Sequence, residues 1–61
     1  MTDERLRKAL EAAEKMTAGG SVIINSADLN EAENAGLVEH QPDGRYTLTP
    51  KGKLRLAEFR Q

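Results

Sequence analysis

Apolar residues recur at Leu6, Ala9, Leu10, Ala13 and then Met16 or Thr17, one face of an amphipathic helix over about residues 3–17. Asp3 and Glu4 occupy its first turn, where carboxylates favour the positive end of the helix dipole. Asp3 with Arg7, Glu4 with Lys8, and Glu11 with Lys15 stand four apart with opposite charge. Such pairs are worth roughly 0.2–0.5 kcal/mol each and describe a solvated outer face. Gly19-Gly20 ends the helix, and residues 21–24 form a short β-rich run with Val22 and Ile24 on one side and Ile23 on the other. Asn25 or Ser26 then caps a second helix that runs to about Ala35 and stops at Gly36, a residue suited to a left-handed turn. Leu29 and Ala32 mark its inward edge, continued by Gly36-Leu37. Asp28, Glu31 and Asn34, spaced by threes, share an outward stripe, with Asn30 and Glu33 beside it.

The pattern changes to a period of two after Gly36. Pro42-Asp43-Gly44 is a turn: proline presets φ at the first position, and glycine accepts the left-handed conformation that closes the loop. A three-residue loop pairs Gln41 with Arg45, His40 with Tyr46, Glu39 with Thr47 and Val38 with Leu48. That register puts Val38, His40, Tyr46 and Leu48 on one face and Glu39, Gln41, Arg45 and Thr47 on the other. A four-residue loop would mix the faces, so the first register is expected. Thr49-Pro50 is a helix cap followed by proline at the first helical position, opening a last helix from about residue 50 towards 59. Two apolar pairs compete for its inward side, Leu54 with Ala57 and Leu56 with Phe59. The expected core is Leu6, Leu10, Val22, Ile24, Leu29, Leu37, Val38, Leu48 and Leu54. Leu56 and Phe59 are left for a partner or a homodimer seam.

The apolar Gly36-Leu37-Val38 exit, the glycine-containing turn and the run Arg45-Tyr46-Thr47-Leu48-Thr49-Pro50-Lys51-Gly52 resemble the wing and following helix of winged helix-turn-helix regulators. The multiple-antibiotic-resistance and phenolic-acid-response repressor families are nearest in style. The resemblance covers about a third of the chain. It implies that residues 21–24 pair with the second wing strand in a three-stranded antiparallel sheet. The expected fold is therefore α+β, one winged-helix-like domain over residues 1–61 in the order α-β-α-β-β-α. The chain departs from the family between the first strand and the wing. Those domains place two helices there, the second reading DNA; here about ten residues suffice for one, and none of them is basic.

Composition narrows the chemistry. Sixty-one residues make one domain near the lower limit for a self-supporting core, and two aromatics keep that core thin. Without cysteine and with a single histidine, the chain offers neither a disulfide framework nor the usual zinc ligands. No apolar run reaches membrane-spanning length and the N-terminus lacks a signal-peptide profile, so a cytoplasmic location is the expectation. His40 reads as a strand residue rather than a general base, and Ser21 and Ser26 have no evident histidine partner. Gly19-Gly20-Ser21 follows a helix and precedes a strand, the reverse of a phosphate-binding loop. Asp28, Glu31 and Glu33 lack calcium-loop spacing. No catalytic residue, cofactor or metal site is expected.

Charge is the sharper clue. Net charge is −1, yet residues 1–44 carry four basic and nine acidic side chains while residues 45–61 carry five basic and one acidic. Between Lys15 and Arg45 there is no lysine or arginine. Two functions follow as expectations. The first is a small regulatory or accessory module that binds a protein partner or itself through Asp28, Glu31 and Asn34 on the acidic helix and Leu56 and Phe59 on the last. The second is a DNA-binding regulator using Arg45 on the wing, Lys51, Lys53 and Arg55 behind it, and Asn30 towards adenine edges. An acidic helix in the reading position and a sequence pI near 5.7 weigh against duplex DNA. A size this small would suit an accessory protein of a phage or mobile element.

Overall fold

The computed structural model describes residues 2–20, 22 and 24–61. Its elements run α1 (Asp3–Thr17), α2 (Ser26–Asn34), β1 (Val38–His40), β2 (Tyr46–Leu48) and α3 (Pro50–Phe59). Each helix begins where a side chain satisfies a free backbone N–H. Thr2 accepts from Arg5, Asn25 from Ala27 and Thr49 from Gly52. Gly36, at φ +78°, ends α2 in the left-handed region, and the Leu37 N–H reaches back to the Ala32 carbonyl.

β1 and β2 pair antiparallel with Val38 opposite Leu48, Glu39 opposite Thr47 and His40 opposite Tyr46. This is the register expected of a three-residue loop. The Gly44 N–H donates to the Gln41 carbonyl, the Gln41 N–H to the Arg45 carbonyl, and the Arg45 N–H to the Asp43 carboxylate. Gly44 takes φ +90°, which closes the turn. Among the described residues one helix, α2, lies between Gly20 and the hairpin.

The third strand is a correction. Ser21 and Ile23 lie outside the described residues, while Val22 and Ile24 belong to no strand. Among the described residues the sheet has two strands, in an α+β order α-α-β-β-α. Ile24 instead packs its side chain against the buried cluster, and with Val22 it lines an open groove beside Ala12 of α1.

α1 is the hub. α2, β2 and α3 all pack against it, over a face of Ala9, Leu10, Ala12 and Ala13 that is buried throughout. Three alanines in four buried positions let the other elements approach closely, which suits a chain with little bulk for its core. Leu29, Ala32, Val38 and Leu56 complete the buried cluster, with Leu6, Met16, Ile24, Leu37, Tyr46, Leu48 and Phe59 half-buried around it. No helix among the described residues is long and apolar enough to cross a membrane.

Leu54 and Leu56 exchange the roles expected of them. Leu56 is 2 % exposed and Leu54 69 %. Gly52 sets the roll of α3: a Cβ placed there would lie 1.9 Å from the Leu37 carbonyl oxygen, so glycine alone fits against that backbone. Thr49 locks the same junction, its N–H donating to the Leu37 carbonyl at 3.1 Å and its hydroxyl to the Gly36 carbonyl at 2.7 Å. With Gly52 turned inward, Leu56 and Phe59 follow it at helical spacing. Leu54 and Ala57 face out.

Candidate interaction surface

α2 presents less free acid than its composition suggests. Arg5 on α1 donates to the Asp28 carboxylate at 2.6 Å, and the Asp28 side chain is only 13 % exposed. Asp28 therefore faces α1, away from the outward stripe expected of it, because a cation from the neighbouring helix lies within reach. Asn30 is also engaged, its amide oxygen accepting from the Tyr46 hydroxyl at 3.3 Å. Tyr46 stacks on His40 of the paired strand with ring centroids 4.6 Å apart, nearly parallel, so the hydroxyl that reaches α2 belongs to an aromatic pair within the hairpin. The outer surface of α2 that remains is Glu31, Glu33 and Asn34, all exposed. Glu31 and Glu33 have no ion-pair partner among the described residues.

The basic C-terminal segment divides in two. Arg60 donates two hydrogen bonds to Glu14, at 2.7 and 3.2 Å, with Glu11 at 3.8 Å, tying the end of α3 to α1. The hydrogen bonds from Arg60 hold the Glu14 carboxyl below its ordinary range, and those to Glu14 raise the guanidinium above its own. Arg55 stands 4.0 Å from Asp3 and 3.9 Å from Glu58, with its guanidinium 5.1 Å from the centre of the Phe59 ring. Phe59 is thus half-buried beneath an arginine, not presented to solvent. Neither Leu56 nor Phe59 forms the open apolar anchor expected from the sequence.

Lys51 and Lys53 differ from these arginines. Both are exposed and neither has an ion-pair partner among the described residues. At the hairpin tip Arg45 is exposed and 3.8 Å from Asp43. Leu54 sits between the two lysines in sequence, the one large apolar side chain that is exposed among the described residues. Beside Lys53 an open groove of about 390 Å³ is lined by Glu14, Thr17, Ala18 and Leu48. The structure therefore leaves Lys51 and Leu54 on the outer side of α3, Lys53 on its flank beside the groove, and Glu31, Glu33 and Asn34 on α2.

The exposure of Leu54 was within reach of the sequence. Gly52, Leu56 and Phe59 stand at i, i+4 and i+7, an inward stripe that becomes visible once the glycine is counted as a contact position. Comparison with protein-family models, curated proteins and solved structures gives no match to this chain.

Proposed function

We propose that the chain is a non-enzymatic interaction module of regulatory or accessory kind, docking a protein partner through the outer side of α3, with the acidic outer side of α2 as a second contact. The observation that carries this reading is Leu54, 69 % exposed, with Lys51 and Lys53 on either side of it in sequence and neither in an ion pair among the described residues. An exposed leucine alone is ordinary on a protein surface. Here it is flanked by uncompensated charge, which gives a partner both an apolar anchor and a steering field. The test is a photo-crosslinking residue at Leu54, compared with one at Lys15, in cells that make the protein. A protein adduct formed at position 54 and absent at 15 is the expected result, and no adduct at 54 would refute the reading.

Duplex DNA is the second reading, favoured by the exposure of Arg45, Lys51 and Lys53. It needs phosphate contacts from those residues, because Asn30 already bonds Tyr46 and α2 carries exposed carboxylates. It requires duplex affinity that falls steeply with salt, with a slope reduced by about one for each lysine neutralised. An affinity unchanged by Lys51→Gln and Lys53→Gln would exclude it.

A further inference from the structure

Resting on the reading of α3 as a docking face, we propose that its occupant is a second copy of this chain. Two α3 helices pack antiparallel across a two-fold axis, with Leu54 against Leu54 at the centre and Lys51 of each facing Glu58 of the other. Lys51, Leu54 and Glu58 are all exposed, on the side of α3 away from buried Gly52 and Leu56. At about 100° per residue they fall within about 60° of one another. A two-fold axis perpendicular to the helices keeps each flank on its own side, so residues on the same flank meet across the seam. Lys51 and Glu58 share a flank and have opposite charge.

Their spacing supplies the register. Lys51 is level with Glu58 of the other copy when the axis passes between positions 54 and 55. The two Leu54 side chains then lie about 1.5 Å apart along the helix direction, side by side at the centre. Ala57, small and exposed on the other flank, lets the helices close in. Lys53 turns away from the seam, towards the groove it shares with Glu14 and Leu48. Glu58 keeps its contact with Arg55 of its own helix, an exposed pair at 3.9 Å. A parallel arrangement would instead exchange the flanks and set Lys51 and Glu58 against the Ala57 and Lys53 flank of the other copy, without the paired opposite charges, so charge selects the antiparallel one. The contact is self-complementary and closes at two copies, without propagating.

α3 has ten residues, about 15 Å of helix. One such seam buries less than the roughly 800 Å² per partner of a standard interface. The dimer is accordingly weak and reversible, with a dissociation constant in the range of roughly 10 μM to 1 mM.

The experiment is sedimentation equilibrium of the full chain from about 10 μM to 2 mM at low and high salt. Concentration-dependent dimer that weakens with salt is expected, and Leu54→Asp should give monomer throughout with an unchanged circular-dichroism spectrum. Lys51→Glu or Glu58→Lys alone should weaken the dimer about tenfold by turning two attractions into repulsions. The doubly reversed chain should regain it, and so should an equimolar mixture of the two single variants, because opposite charges again meet across the seam. A chain monomeric at 2 mM, a dimer indifferent to Leu54→Asp, or failure of both restorations would overturn the proposal. Crosslinking of a different protein through Leu54, with the chain itself monomeric, would refute the second copy and leave the docking reading standing. Absence of both would refute the two together.

Discussion

Gly52→Ala is the change that most directly tests how α3 is seated. By helix propensity it should help, since alanine inside a helix is favoured over glycine by about 1 kcal/mol. The packing says otherwise. The new Cβ would lie 1.9 Å from the Leu37 carbonyl oxygen and 2.9 Å from its carbon, with the Leu48 Cδ2 at 3.2 Å. Both carbonyl atoms are backbone, so no rotamer change relieves the clash, and α3 must move away by at least about 1 Å. Overpacking of this kind costs about 1–3 kcal/mol. The movement also strains the two bonds from Thr49 to Gly36 and Leu37, each worth about 1 kcal/mol. After the propensity gain, a net loss of about 2–4 kcal/mol is expected. A chain of this length has a total stability of only about 3–9 kcal/mol. Urea unfolding followed at 222 nm should show the midpoint falling by about 2 M or more. Ala57→Gly on the outer side of the same helix is the control, losing about 1 kcal/mol from propensity alone. A Gly52→Ala midpoint equal to or above that of the parent chain would refute the close approach and with it the roll of α3.

Three further outcomes follow from the same structure. Leu56→Ala should cost about 2–4 kcal/mol while Leu54→Ala stays within about 0.5 kcal/mol, and equal losses in thermal unfolding would contradict their opposite burial. Gly44→Ala forces a side chain into the left-handed region at φ +90° and should cost about 1–2 kcal/mol, read as a lowered urea midpoint with an unchanged slope. Because Arg60 lowers the folded-state pKa of Glu14, the pair stabilises the fold above the ordinary carboxylate pKa and loses that effect as pH falls through the folded value. Glu14→Gln should therefore lower the melting temperature slightly at neutral pH, with the difference from the parent chain vanishing in acid. A difference that persists at low pH would mean the contact does not act through charge.

Local chemistry was sufficient to determine much of this protein. The amphipathic stripe of α1, the Asn25 and Thr49 caps, the Gly36 stop and the register of the hairpin were all legible, because each depends on residues within a few positions of one another. Turn residues and side-chain alternation admit one pairing of Val38 with Leu48, and the structure has it. The length between Gly20 and Gly36 allowed a single helix, and the described residues there form one. What the chain could not disclose by itself depends on contacts between elements. Arg5 reaches Asp28 from 23 residues away and turns an acid expected to face out towards α1. Arg60 meets Glu14 across 46 residues and ties the end of α3 to α1. Residues 21–24 have strand composition, but Ile24 finds its cover on the helical core, an alternative that composition cannot weigh against a ladder. The exchange of Leu54 and Leu56 has the same origin. Both leucines satisfy a helical pattern of large apolar residues equally well. The Gly52, Leu56 and Phe59 spacing favours Leu56 only if Gly52 is a contact position, and it is the backbone of Leu37 lying against Gly52 that makes it one.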